Sequence, residues 1–406
     1  MNKKILILGG GVAGCSCAYF LMKKGYKVTI LEKEDYLGGL SATHYYNGHP
    51  YEFGPHVWFW PNDDINDVIR ELTNNELYEV DRKLYTFTGT DLYRYPPHFS
   101  DIQNMSDKED ILKELSLTRD EDLRLKSELL PVLGQCTFEE YFESAIGKIL
   151  YKRFMKDYTH KMWGIPGNLL QTYMVWADRI KENYTGQMNA YDPIKFKESF
   201  LGQGQPNWYP KKGWNIVWNG MAKGAEILYG HKLSYIFDGK ILTNKGSFKA
   251  DEYEYVINTL HSDTLFDEYE LPANGRLIIP FLIPGKNLVF PDGAESIHYS
   301  DNIALTRTTE MKIITRHESP DTLICLEVPV TNESKDAFPS NINISKHYHP
   351  RCYNWQTKDA IEFHEYYVDK AVKKFPNILF CGRHANFKYW GMPEVVDAAN
   401  ILCKIL

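Results

Sequence analysis

The first apolar run of the chain, Ile5 to Leu8, is too short for a helix and apolar on both faces, the pattern of a central parallel strand. It breaks into Gly9, Gly10 and Gly11, and Gly14 follows after Val12 and Ala13. Val12, Ala18, Tyr19 and Met22 then recur at helical spacing, with Gly25 as the stop. A second strand, Tyr26 to Leu31, ends at Glu32. In that order of elements each glycine has a task. Gly9 allows the tight turn, Gly11 lets the backbone approach a pyrophosphate, and Gly14 lets helix and strand pack closely. A carboxylate at Glu32 can accept hydrogen bonds from both ribose hydroxyls of a dinucleotide and would repel a 2′-phosphate.

The far end of the chain repeats the plan. Ile378 to Cys381 reads as a short strand, Gly382-Arg383 follows, and Pro393 sits in the favoured first turn of a helix that turns Val395, Val396, Ala399 and Leu402 inward. Two segments this far apart in sequence could clamp one large, two-ended cofactor. Between them, residues 100–175 turn helical: Ser106-x-x-Glu109 and Thr137-x-x-Glu140 have the form of capping boxes. Phe138, Tyr141, Phe142, Ala145, Ile146, Ile149 and Leu150 mark one apolar face. Residues 182–213 are polar and aperiodic, as expected of a lid, a binding loop or disorder. Tyr253 to Thr259 reads as a strand returning to the first sheet, and the runs RLIIPFLI and TLICLEVPV within 276–330 read as antiparallel sheet.

The fold class expected is α/β: a Rossmann-like FAD-binding domain from 1–75, 212–262 and 352–406, a helical domain at 100–175, and an antiparallel β-sheet domain from 76–99, 176–211 and 263–351. A length of 406 residues suffices for such cores. A net charge of −7 argues against a nucleic-acid partner, so any phosphate must be met by locally placed arginines and backbone amides. Seven cysteines, odd in number and without a C-x-x-C, point to reduced thiols in a cytoplasmic protein, with Cys15 and Cys17 as helix packing. No run approaches 18 apolar residues, so no membrane span is expected. The Lys3-Lys4 start and Cys15 imitate a lipoprotein signal, but glycines interrupt an apolar run of only four, so the segment is expected to stay attached.

Gly38-Gly39 closely follows Glu32, and Gly54-Pro55-His56 comes soon after. Glycine pairs at that point suit FAD, whose backbone lies along the diphosphate. A helix N-terminus near Met392 could point at the flavin pyrimidine ring and stabilise a reduced, anionic flavin. His347-x-His349 would share one face of a strand, but no third ligand accompanies it, and no metal is expected.

At this level of detail the chain resembles the UDP-galactopyranose mutase family. The resemblance rests on Asp157-Tyr158-Thr159-His160-Lys161-Met162-Trp163-Gly164, on Thr306-Arg307, and on Gly382-Arg383 followed by Phe387-Lys388-Tyr389-Trp390-Gly391-Met392. It implies an isomerase whose reduced flavin N5 attacks the anomeric carbon of a nucleotide sugar and expels the nucleoside diphosphate. The sugar ring then opens and recloses at a different hydroxyl. Planar arginines would hold the diphosphate bidentately. By resemblance, Arg307 is the diphosphate ligand, with Arg179 (and Lys181 behind it) as a second cation from the loop and Tyr389 and His56 beside the chemistry. Phe154, Tyr158, Trp163, Tyr348 and His349 would contact substrate. The cofactor would meet Gly9, Gly11, Val12, Ala13, Gly14, Glu32, Lys33, Gly39, Leu40, His56, Arg383, Gly391 and Met392. NAD(P)H or another external reductant would keep FAD reduced, and a homodimer is among the assemblies allowed.

The sequence also departs from the family pattern. Tyr348-His349-Pro350 stands where a Tyr-Tyr-Pro element is usual, and Gly391 stands where an Asp commonly precedes the methionine. Both bear on which sugar and nucleotide are used. Two other readings share the N-terminal fingerprint: a redox flavoenzyme of amine-oxidase type, which needs no diphosphate clamp, and a non-enzymatic GDP-dissociation-inhibitor-like binding protein. The intact Gly9, Gly11, Gly14 and Glu32 disfavour the second.

Overall fold

In the computed structural model of the protein, the described residues are 3–59, 62–95, 97, 99–118, 137–171, 207–330 and 347–406. The chain divides into two compact units, Met1–Val80 with Gln205–Leu271 and Asp359–Leu406, and Asp81–Gly204 with Pro272–Lys358. The helical stretch and the antiparallel sheet thus fall in one unit.

The first unit is a doubly wound α/β layer. Its five-stranded sheet runs Ile378–Phe380, Tyr255–Asn258, Lys4–Leu8, Lys27–Glu32, Glu226–Tyr229, all parallel. Lys4–Leu8 lies at the centre, and Ile5, Leu6, Ile7 and Leu8 are essentially inaccessible, which is why the run is apolar on both faces. The Val12–Lys23 helix packs against the Met392–Ile405 helix, so the two ends of the chain share a core. Of the residues expected to face inward on the latter, Val395, Val396 and Ala399 are buried. Cys403 takes the fourth place, with Leu402 half-buried. Gly25, at φ +85°, closes the first helix by donating to the Met22 carbonyl at 2.9 Å.

The second unit holds a seven-stranded sheet in the order Tyr348–Asn354, Ala273–Ile283, Thr322–Val330, Arg307–Glu310, Ser296–Tyr299, Leu84–Phe87, Leu92–Arg94. It is antiparallel except where Ser296–Tyr299 meets Leu84–Phe87. The helices Lys108–Thr118 and Phe138–Ile146 pack together beside a stretch that widens to π spacing over Tyr151–Lys156 before the Asp157–Trp163 helix. The Thr137–Glu140 capping box forms as the sequence suggests. The Ser106–Glu109 box does not set a helix start: that helix begins at Lys108, directly after Asp107, whose carboxylate pairs with Arg153 at 2.5 Å. No described helix is long and apolar enough to cross a membrane.

Candidate active site

In the first unit the glycine turn is built around backbone closeness. A Cβ on Gly14 would lie 1.9 Å from the Gly9 carbonyl oxygen, so only glycine lets this helix lie on its strand. A Cβ on Gly11 would meet nothing within 4 Å. Gly11 precedes the Val12–Lys23 helix without any side-chain cap, and the first turn holds no acidic residue. The N–H groups of that turn are therefore left for an anion, with the helix dipole behind them. Gly38 donates to the Gly10 carbonyl at 2.9 Å and draws the Gly39–Ser41 turn alongside. A Cβ on Gly382 would lie 2.6 Å from the Ala13 Cβ, so the second glycine segment does close on the first.

Glu32 is buried, and its Oε2 accepts the Gly10 N–H at 2.7 Å while Oε1 accepts the Glu34 N–H at 2.9 Å. Burial raises its pKa against those two donors, yet a carboxylate has about four acceptor positions and keeps room for ribose hydroxyls. Lys33, next to it, is exposed and pairs with Glu34 at 3.2 Å. Leu40 lies in the Gly39–Ser41 turn and is partly buried. Gly391 is the residue before the C-terminal helix, in extended conformation and with no side-chain cap, and Met392 opens the helix. An aspartate at 391 would cap that turn with its own carboxylate. Glycine leaves the N–H groups open. Arg383 lies 4.7 Å over the Tyr389 ring.

Also in the first unit, Glu52 is fully buried and accepts at Oε1 from Tyr209 (2.6 Å) and Thr43 (3.0 Å). Burial pushes its pKa up to about 8. His56 Nδ1 lies 3.8 Å from Oε2, near enough for an ion pair only if the carboxyl is ionised. With so high a pKa we read the contact at neutral pH as one between a neutral carboxyl and the imidazole.

In the second unit, sheet register lines up one row of polar side chains. His298 pairs with Arg307, Arg307 with Glu327, and Arg276 with His349 on the far side. Opposed residues in such pairs point to the same face. Glu327 holds both arginines: Oε2 accepts from Arg307 Nη2 at 2.5 Å and Oε1 from Arg276 Nε at 3.0 Å. Burial alone would raise the pKa of Glu327, but Arg307 and then Arg276 outweigh it and hold it at about 2. Burial likewise works against the Arg307 charge, and Glu327, Tyr158 and Tyr353 more than offset it. The Arg307 Nε is buried and finds no partner among the described residues.

The Asp157–Trp163 helix closes over this row. Its last carbonyls are met by Arg276, which donates to Met162 at 2.5 Å, and by Asn274, which donates to Lys161 and Met162 at 3.2 and 3.0 Å. Gly164, at φ +75°, ends the helix, and a Cβ there would press on Asn274 at 3.2 Å. Lys161 donates to the carbonyls of Asp301, Ile303 and Leu305, tying the helix to the loop that leads into Thr306 and Arg307. Trp163 is buried edge-on to Tyr353, over which Arg276 also stacks.

The model of the NAD(P)-binding Rossmann-like domain family matches residues 7–72. The UDP-galactopyranose mutase family model matches residues 153–389, more than half the chain and the whole of the polar row. This chain belongs to the UDP-galactopyranose mutase family. It is 25% identical to a probable UDP-galactopyranose mutase of Klebsiella pneumoniae, over 98% of this chain and 93% of that protein. It is also 23% identical to the dTDP-fucopyranose mutase of Escherichia coli, over 100% and 99%. The fold matches the crystal structure of a reduced UDP-galactopyranose mutase with a TM-score of 0.77 at 17% identity, covering 100% of this chain and 95% of that one. As a member of this family the protein is an isomerase, a nucleotide-sugar mutase, and its Rossmann unit takes FAD.

Against that background the mutase distributes the sequence-predicted residues unevenly. Tyr158, Trp163, Arg307 and His349 belong to one neighbourhood of the second unit. Phe154 is buried edge-on to Tyr93 beneath it. Tyr348 opposes Leu277 and packs with Leu277, Val328 and Val330, on the face opposite to its neighbour His349. Adjacent strand residues cannot both face one ligand. Arg179 and Lys181 lie outside the described residues, as does most of the 182–213 stretch. Among the described residues no group of three His, Cys, Asp or Glu side chains could hold a metal. Sequence reasoning missed Arg276, Glu327, His298, Lys161 and Glu52. A signal existed for two of them: a charge at the head of RLIIPFLI and one inside TLICLEVPV each demand a buried partner.

Proposed function

We propose that this chain interconverts the pyranose and furanose forms of a nucleotide-diphosphate sugar, UDP-galactose or a related sugar, with FAD in its reduced form. Bound reduced FAD supplies the nucleophile, its N5, for the anomeric carbon, so no Ser, Cys or paired-carboxylate nucleophile is required of the protein. The protein must hold the diphosphate that leaves and returns.

The observation that carries this reading is the Arg307–Glu327–Arg276 row. Two cations, Arg276 buried and Arg307 part-buried, share one carboxylate, leaving an excess positive charge and an uncommitted Arg307 Nε–H. A diphosphate would balance that charge, and a guanidinium meets phosphate oxygens in a planar, bidentate way. Tyr158 and Trp163 would flank the base and the sugar, with Phe154 supporting them and His349 at the far end of the row. Tyr389 would add a hydroxyl and Arg179 a second cation, while His56, Arg383, Gly391 and Met392 would face the flavin. Two relatives that match over almost their whole length are named for UDP-galactopyranose and dTDP-fucopyranose, which supports a pyrimidine diphosphate sugar. The same reading includes NAD(P)H or another external reductant, work in the cytoplasm, and a homodimer as the assembly to test first.

The test is to incubate dithionite-reduced protein with UDP-galactopyranose, dTDP-fucopyranose and related UDP-, dTDP- and GDP-sugars, and to look for furanose products by NMR. Arg307→Ala should lower kcat/KM by roughly 10²–10³-fold, the usual cost of removing a buried partner of an anion. Furanose absent from every incubation of protein that is yellow as purified and bleached by dithionite would end the proposal.

A further inference from the structure

Arg307 opens its strand, so the loop just before it decides where its backbone starts. That loop, residues 300–306, joins Ser296–Tyr299 to Arg307–Glu310, and the last register pair before the turn is His298 with Arg307. Beyond the pair Tyr299 donates to the Thr306 carbonyl at 3.1 Å, and the carbonyls of the loop proper need donors from elsewhere. Lys161 Nζ supplies them, donating to Asp301 at 2.8 Å, Leu305 at 2.9 Å and Ile303 at 3.2 Å. An ammonium carries three protons, and these carbonyls use them all. The Asp301 carboxylate, at 3.9 Å, adds charge without a hydrogen bond. Burial lowers the pKa of Lys161, with Asp301 and then Asp157 supporting its charge. Lys161 therefore has no proton left for a phosphate, and its part is not that of a ligand.

The other end of the link is the Asp157–Trp163 helix. It follows six residues at π spacing, a rare conformation, so its position depends on what it is tied to. Tyr158 and Lys161 are three residues apart and share a face of that helix. Tyr158 stacks on His298 of the strand at 4.9 Å and 23°, and Lys161 takes the loop. We infer that Lys161 is a positioning residue, whose ammonium fastens this helix to the 300–306 loop and so sets where Tyr158 and Arg307 stand for substrate. What those two residues contact rests on the nucleotide-sugar reading; the fastening itself does not.

The test removes the side chain and gives the missing piece back. Lys161→Ala lacks three methylenes and the ammonium, the fragment that n-propylammonium supplies. UDP binding to the oxidised holoenzyme is measured by calorimetry, with n-propanol and sodium chloride as controls for the apolar stem and for ionic strength. Lys161→Ala should bind UDP roughly ten- to a hundredfold more weakly, the range for binding groups displaced by about an ångström. Propylammonium, unlike either control, should recover most of that loss. It should also raise the melting midpoint of the UDP-free variant and leave that of the wild type unchanged. UDP affinity equal to that of the wild type, or a loss that propylammonium does not reverse in a variant that melts cooperatively, overturns the assignment. If Lys161→Ala does not fold, Lys161→Met keeps the stem without the donors and carries the same UDP comparison, with wild-type affinity again the overturning result. Wild type that binds no UDP, beside a melting midpoint that propylammonium does raise in Lys161→Ala, would overturn the nucleotide-sugar reading and leave the Lys161 fastening in place.

Discussion

At the residue scale, two buried glutamates titrate in opposite senses. Glu327 is stable as an anion because it faces Arg307 and Arg276 at once, with Thr306 also donating at 3.2 Å. Its depressed pKa contributes stability above the ordinary carboxylate range that is lost only as pH falls through about 2. Glu327→Gln would leave the buried Arg276 and part-buried Arg307 guanidiniums facing an amide and should cost about 3 kcal/mol in denaturant unfolding. Inorganic pyrophosphate should restore more of the midpoint in that variant than in the wild type, because an anion can take over the lost charge. A variant as stable as the wild type would mean that the arginines do not depend on Glu327. Glu52 behaves the other way. Its pKa is raised to about 8 by burial, so the fold holds a proton that the unfolded chain has already lost. The stability this provides is complete below the ordinary carboxylate pKa and disappears as pH rises through 8. Glu52→Gln keeps an oxygen for Tyr209 and Thr43 but does not titrate. Relative to it, the wild type should lose roughly 2 kcal/mol between pH 6 and 9. Parallel pH–stability curves for the two proteins would count against a protonated Glu52.

At the element scale, the strand–turn–helix at the N-terminus separates two uses of glycine. The added methyl of Gly14→Ala would collide with the Gly9 backbone, which cannot move without parting strand from helix. Gly11→Ala meets open space at an ordinary φ of −71°. Gly14→Ala should therefore lower the stability of the apoprotein, whereas Gly11→Ala should leave the apoprotein melting point within about 2 °C and instead cost FAD affinity. Equal loss of apoprotein stability in both would show that Gly11 is structural. This element was legible because its signals are local: apolar run, glycines, helical period and Glu32 lie within one short stretch. The Tyr255–Asn258 strand and the Thr137 cap were legible for the same reason. The polar row was not. His298, Arg307, Glu327 and Arg276 come from four different strands, and only register brings them together. Register also decides that Tyr348 and His349 point apart, which the short Tyr-His-Pro motif cannot convey.

At the scale of the whole molecule, a Rossmann unit that takes a redox cofactor is joined in one chain to a unit whose polar core feature is two arginines sharing one glutamate. That pairing fits an isomerisation, since a pyranose and a furanose sugar have the same composition and oxidation state. Electrons placed on the cofactor should then be returned intact at each turnover. A single reduction of the enzyme by NAD(P)H should support many turnovers, with furanose formed in large molar excess over reductant consumed. An oxidoreductase of the same fold would consume reductant or oxygen in proportion to product. Measuring both quantities in one anaerobic incubation separates the two. A one-to-one ratio would place this chain among the redox flavoenzymes despite its arginine row, because no arrangement of diphosphate ligands can make a stoichiometric reductant catalytic.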